Sequence, residues 1–291
     1  MRRILFAGKL KIGQKLLWGL LAVLALAVLF PVIFLIAGSI MGDDELSTYL
    51  VAVISGKEGY VNMPLLPRYP TLSHFVEIFL DSPAFFVMFW NSIKITFGVL
   101  IGQLVVGTMA AWGFAKYKFP GKKGFFLLYI ILMLLPFQVL MLSDYLVLDQ
   151  LKLTDNLWGI ILPGIFSTFP VFIVHRFFTE IPDSLIESAK LDGAREWQLF
   201  WYIALPIGSS GIIASLVLGF LEYWSLIEQP LTFLKDKSLF PLSIFLPDIT
   251  NVNKSGMAFA ASVVTFLPAL LVFLGGQDYL EQGIMAGAVK E

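Results

Sequence analysis

The chain has 291 residues, 58% of them hydrophobic and only 14% charged, with a net charge of −1 and a mean hydropathy of +0.83. A water-soluble domain carries about 25% charged residues, and a soluble fold of this composition would leave wide apolar patches in water. With no basic surplus to meet phosphates, no nucleic-acid partner is expected, and with no cysteine there is no disulfide, thiolate zinc site or iron–sulfur cluster.

A hydrocarbon core of roughly 30 Å needs about 20 apolar residues in helical form. The first such stretch, Leu16 to Ile40, carries no charge and follows five basic residues, Arg2, Arg3, Lys9, Lys11 and Lys15. A cleaved signal peptide begins similarly, but its apolar region is only about 7–15 residues long, so a retained anchor is predicted. Further spans are predicted at Asn91–Ala115, Gly124–Leu146, Leu157–Phe178, Ile207–Ile227 and Gly256–Gly276. With the N-terminus inside, the inner segments hold thirteen Lys and Arg and the outer segments six. The expected fold is an all-α integral membrane protein of about six transmembrane helices with both termini cytoplasmic.

The chain divides into residues 1–84, holding the N-terminal segment, first span and an outer stretch, and residues 85–291, holding the transmembrane core. Pro31, Pro136, Pro170 and Pro268 fall inside spans, where neighbouring helices can satisfy the freed carbonyls. Gly98 and Gly102 form a GxxxG that reads equally as a close-packing face or as ordinary membrane-helix glycine. In the outer stretch 41–84, Thr71 is expected to N-cap a short surface helix, apolar at Leu72, Phe75, Val76 and Phe79, with His74 on its polar side.

The stretch between the fourth and fifth spans, residues 180–206, is the most informative. Pro182 suits a first helical position, and Asp183 and Glu187 favour the positive end of a helix dipole. Leu185, Ile186, Ala189 and Leu191 are expected to form an apolar stripe. Asp192-Gly193 then stops the helix, and a second one carries Trp197, Phe200, Trp201 and Ile203 before Pro206. The result is a cytoplasmic amphipathic hairpin. Its polar residues are mostly acidic, which an anionic leaflet repels, so docking on a protein is favoured over lying on the membrane.

Glu187-Ser188-Ala189, Asp192-Gly193-Ala194 and Ile203-Ala204-Leu205-Pro206 resemble the EAA loop of permease subunits in binding-protein-dependent ABC importers. The spacing agrees throughout, with Ser188 in place of the middle alanine. Asn91-Ser92 and the tail from Gly283 to Lys290 are similar to the maltose-permease-like second subunit of carbohydrate importers, and the resemblance spans roughly residues 70–291. It implies a heterodimer with a second permease subunit, a cytoplasmic ATPase dimer that binds ATP and Mg, and an extracytoplasmic solute-binding protein that delivers a sugar or oligosaccharide. This chain itself would bind no cofactor, in keeping with its lack of a GxxxxGK[ST] phosphate loop. The resemblance further implies that Glu187 pairs with groups lining a cleft on the ATPase, that Ala189 packs at the contact, that Gly193 sets the hairpin angle, and that Asp192 helps cap the first helix. Its tail would also reach the ATPase, although Asp278, Glu281 and Glu291 make this one acidic.

A sugar needs hydrogen-bonding groups beside aromatic faces, and Glu222-Tyr223-Trp224 in the fifth span offers both. An acid inside a span is a functional candidate; the alternative for Glu222 is pairing with a neighbouring subunit at a helix end. Gln103 and Gln138 can bond either a sugar or another helix, with helix packing favoured. Competing readings are an ABC permease for a non-sugar solute, a stand-alone secondary transporter, and a membrane-embedded enzyme. The last lacks any reactive cluster: His74 and His175 stand far apart, and no HExxH occurs.

Overall fold

The structure, a computed structural model, describes residues 12–54, 64–245 and 255–288. Every regular element among these residues is helical, and β-pairing is limited to one bridge between Met41 and Pro70. Four helices are long and apolar enough to cross a membrane: Gln14–Ser39, Pro83–Lys116, Trp158–Glu180 and Ser255–Glu281. Two bent pairs raise the count to six if each is one span, Lys122–Leu134 with Phe137–Gln150 and Glu196–Ile207 with Ser209–Trp224.

The third predicted span is therefore not one continuous helix. Its halves meet at 104° across Leu135-Pro136. Leu135 sits at ψ 122° and Pro136 at ψ 147°, both extended. A proline ring crowds the residue before it out of the helical region, and its missing N–H leaves the helix unable to continue. The fourth span also breaks, at Ser167 (ψ 140°), between Trp158–Ile165 and Thr168–Glu180. Pro170 thereby falls in a first turn, where no N–H is needed. Pro31 and Pro268 stay inside unbroken helices. The second span starts at Pro83 rather than Asn91 and contains a wide turn over Gln103–Gly107.

Contacts group the chain into two units. One comprises Ser82–Phe245 and the chain from Thr265 onward, the other the chain up to Asp81 with Leu246–Val264. In the larger unit the GxxxG forms a close-packing face. A Cβ on Gly98 would press on Ile161, one on Gly102 would collide with the Ile165 side chain, and Gly164 is crowded in return by Val99 and Tyr223. Near the other end of these helices, Trp112, Val174, Phe178, Leu199, Phe200 and Ile212 form a buried cluster, with Trp112 edge-on to Phe178 at 5.5 Å.

In the smaller unit, Ile12–Ser39 exposes apolar side chains along most of its length, as a lipid-facing helix does. The short helix Ser73–Val76 begins one residue later than expected. Leu72 holds the cap position, and Thr71 Oγ1 accepts the Ser73 N–H at 3.1 Å. Its faces also differ from the expectation, and of the four expected apolar residues Phe75 alone is half-buried. Leu72, Val76 and Phe79 are exposed, whereas His74 and Ile78 are fully buried. His74 Nε2 lies 2.9 Å from the Met41 carbonyl and 3.7 Å from Asp43 Oδ1, and its ring fills the space beside Gly256. These partners satisfy its nitrogen in a way the local sequence pattern does not reveal.

Candidate functional site: a braced hairpin and an acceptor-rich cavity

The hairpin is built around one turn. Pro182 (ψ 134°) stands just before the helix Asp183–Leu191, one position earlier than expected. After Asp192 the chain enters the left-handed region at Gly193, φ +86°. The Gly193 N–H donates to the Lys190 carbonyl at 3.0 Å and the Ala194 N–H to the Ala189 carbonyl at 2.9 Å. This is the Schellman pairing, which satisfies carbonyls that a helix end otherwise leaves open. Asp192 contributes through its backbone, its N–H donating to Ser188 O at 3.0 Å. The second helix, Glu196–Leu199, runs through a wide turn at Phe200–Ala204 into Leu205–Ile207, which contains Pro206.

One charged strut and one hydroxyl bond tie the hairpin to the end of the second span. Lys116, its side chain only 10% exposed, donates from Nζ to Asp183 Oδ1 at 2.8 Å and to the Ile181 carbonyl. The hydrogen bond from Lys116, and then its charge, hold the Asp183 carboxyl below the usual carboxylate range. Glu196 accepts from Lys190 Nζ at 2.7 Å and from the Tyr117 hydroxyl at 2.8 Å.

The expected apolar stripe divides. Ile186 is buried and Ala189 half-buried against the cluster around Trp112, whereas Leu185 and Leu191 point outward, Leu191 being 89% exposed. At about 100° per residue Ile186 and Ala189 share a face that Leu191 cannot join. On the second helix Leu199, Phe200 and Ala204 are buried, Ile203 packs partly buried against the same cluster, and Trp197, Trp201 and Tyr202 are exposed. Glu187 and Ser188 are exposed, and Ser188 Oγ bonds back to the Ser184 carbonyl at 2.8 Å. Exposed Glu187, Leu191, Trp197, Trp201 and Tyr202 give the hairpin an acid and unburied aromatic and aliphatic groups.

The bend at Pro136 and the break at Ser167 open a cavity of about 550 Å3. Its polar lining consists of Asp144, Ser167, Thr168, Glu222, Tyr223 and Gln229, and Phe137, Phe166 and Phe169 supply aromatic faces. Tyr223 is buried. Gln229 Oε1 is buried with no hydrogen-bond partner among the described residues.

Of the five residues expected along a pathway, the structure brings only Glu222 and Tyr223 to this cavity. Trp224 is buried, stacked on Phe220 at 5.4 Å, with its Nε1–H donating to the Thr265 carbonyl at 2.9 Å. Gln103 donates to the Gly164 carbonyl at 2.9 Å behind the lining, which is helix packing. Gln138 donates to both Glu228 oxygens, at 2.7 and 2.8 Å, outside the lining. Sequence reasoning missed Asp144, Ser167, Thr168 and Gln229. Asp144 carried a usable signal, an acid within a predicted span, as Glu222 did. Ser167 carried none, because the break that exposes it is a tertiary feature.

Residues 103–286 match the family described as the binding-protein-dependent transport system inner membrane component. The arabinooligosaccharides transport system permease protein AraQ of Bacillus subtilis is 30% identical over 269 residues, 92% of each chain. Its counterpart in Halalkalibacterium halodurans is 29% identical over 271 residues, 92% of this chain and 94% of that one. The sn-glycerol-3-phosphate permease protein UgpE of Yersinia pestis is 25% identical over 266 residues, 89% of this chain and 92% of that one. Among solved structures, a bacterial ABC transporter for import of the acidic polysaccharide alginate aligns with a TM-score of 0.78 at 20% identity, covering 95% of this chain and 99% of that one, a likeness of fold. The chain belongs to the binding-protein-dependent transport system inner membrane components, the multi-pass permeases of ABC transporters.

Proposed function

We propose that this chain is one of two permease subunits of an ATP-driven importer for a sugar or oligosaccharide. Both termini face the cytoplasm, and the hairpin 180–206 seats in a cleft on a cytoplasmic ATPase, which alone binds ATP and Mg. A second, non-identical permease subunit completes the pathway, and an extracytoplasmic binding protein delivers the cargo. The related alginate transporter has been solved in complex with a pentasaccharide-bound periplasmic protein, an arrangement this reading extends to the present chain.

The observation that carries the proposal is the pairing of an outward-facing hairpin with a strut into a span. Closure of the ATPase pushes on Asp183–Leu191, and Lys116 passes that displacement to Pro83–Lys116. That helix packs through Gly98 and Gly102 on Trp158–Ile165, whose end lines the cavity. The test is purification of the co-expressed subunits through a tag on this chain, comparing wild type with Glu187→Arg and Gly193→Pro. The proposal expects the ATPase to co-purify with wild type and to be lost from both variants while the sister permease stays. A wild type free of ATPase, or variants that retain it fully, refutes the coupling role.

A further inference from the structure

We infer that the half-pathway lined by this chain selects donor-rich saccharides without a negative charge, and rejects uronates and sugar phosphates. The inference rests on the carbohydrate reading above and narrows it. The cavity lining holds two carboxylates, Asp144 and Glu222, and no Lys, Arg or His. An anion entering the cavity sheds water and meets no cation to replace it, while two acids face it. A neutral sugar meets the opposite situation. Its hydroxyls donate to the carboxylate oxygens of Asp144 and Glu222. Its C–H faces rest on Phe137, Phe166 and Phe169. An amino sugar fits by the same logic, its ammonium supplying donors and a compensating charge. The relatives' own cargoes span both classes, from arabinooligosaccharides to sn-glycerol 3-phosphate, so family membership leaves the choice open and the lining decides it.

The test uses the complete importer, this chain with its sister permease and ATPase pair, in lipid nanodiscs without the binding protein. Saturation-transfer NMR then reads contact with three probes at equal concentration: arabinotriose, trigalacturonate and sn-glycerol 3-phosphate. Arabinotriose is expected to exceed both anions by about tenfold or more, a ratio that needs less than the cost of one unpaired charge brought out of water. Glu222→Lys is expected to reverse the order, lowering arabinotriose and raising trigalacturonate. Because Glu222 faces the cavity, this variant is expected to retain the wild-type elution profile of the assembled importer. Glu222→Gln, which keeps the shape, is the control and narrows the gap without reversing it. Anionic probes that match arabinotriose in wild type overturn the charge inference and leave carbohydrate import standing. If no probe makes contact, and none stimulates ATP hydrolysis once the binding protein is added, the carbohydrate reading falls and takes this inference with it.

Discussion

Gly193 offers a perturbation whose size follows from geometry alone. Its φ of +86° lies in the region that L-residues avoid, and a Cβ built there would meet nothing within 4 Å. Gly193→Ala therefore introduces no collision, only backbone strain of about 1–2 kcal/mol. Restricting the unfolded chain returns about 0.4–1 kcal/mol, which lowers the global cost but leaves the local bias against the turn untouched. The strained turn is the one that orients Asp183–Leu191 against Glu196–Leu199, so the hairpin shifts toward other geometries while the buried side of its first helix, at Ile186, stays packed. If docking requires the turn as it stands, a bias of 1–2 kcal/mol weakens ATPase affinity by roughly 5- to 30-fold. Gly193→Asn, a residue more tolerant of positive φ, falls between wild type and alanine. The assay titrates purified ATPase against the permease pair in nanodiscs and follows binding by fluorescence anisotropy, with thermal unfolding of the pair measured alongside. Affinities that are unchanged in alanine, or weaker in asparagine than in alanine, refute the claim that this turn sets the docking geometry.

Lys116→Met keeps the aliphatic stem but removes the bonds to Asp183 and Ile181. The expected result is an ATPase that still binds and hydrolyses ATP while sugar uptake per ATP falls several-fold; full coupling in a vesicle uptake assay contradicts the strut. Gly102→Leu collides with Ile165, whereas Gly113→Ala meets open space, so only the first is expected to abolish recovery of assembled protein by size-exclusion chromatography. Trp224→Phe loses one hydrogen bond to the Thr265 carbonyl, about 1 kcal/mol, and keeps the stack on Phe220. It is expected to lower the melting temperature slightly and leave sugar contact in the saturation-transfer measurement unchanged, which separates its role from that of neighbouring Glu222.

Much of the hairpin was legible because its determinants are local. Glycine after a run of helical spacing identifies the Gly193 turn, and the order of Pro182, Asp183 and the apolar residues predicts the two helices within one or two positions. The cavity was half legible. Glu222 and Asp144 both signal themselves as acids in apolar runs, and Tyr223 follows Glu222 in sequence, but Trp224 occupies the next position and turns into the protein instead. Side-chain direction along a helix changes by about 100° per residue, so adjacency in sequence does not confer a shared face. His74 illustrates the same limit, since its partners lie more than 30 residues away at Met41 and Asp43.

By itself the sequence determined that this protein lives in a bilayer, roughly where its apolar spans lie, and where its hairpin turns, because hydropathy and glycine act over a few residues and need no distant partner. Only the tertiary structure decided which prolines break a helix. Pro136 does so and Pro31 and Pro268 do not, a difference absent from the residue type itself. It also decided that Gly98 and Gly102 receive Ile161 and Ile165, and that Asp144, Ser167, Glu222 and Gln229 surround one space. Those outcomes depend on which helix faces which, and that choice is set by the packing of side chains far apart in the chain.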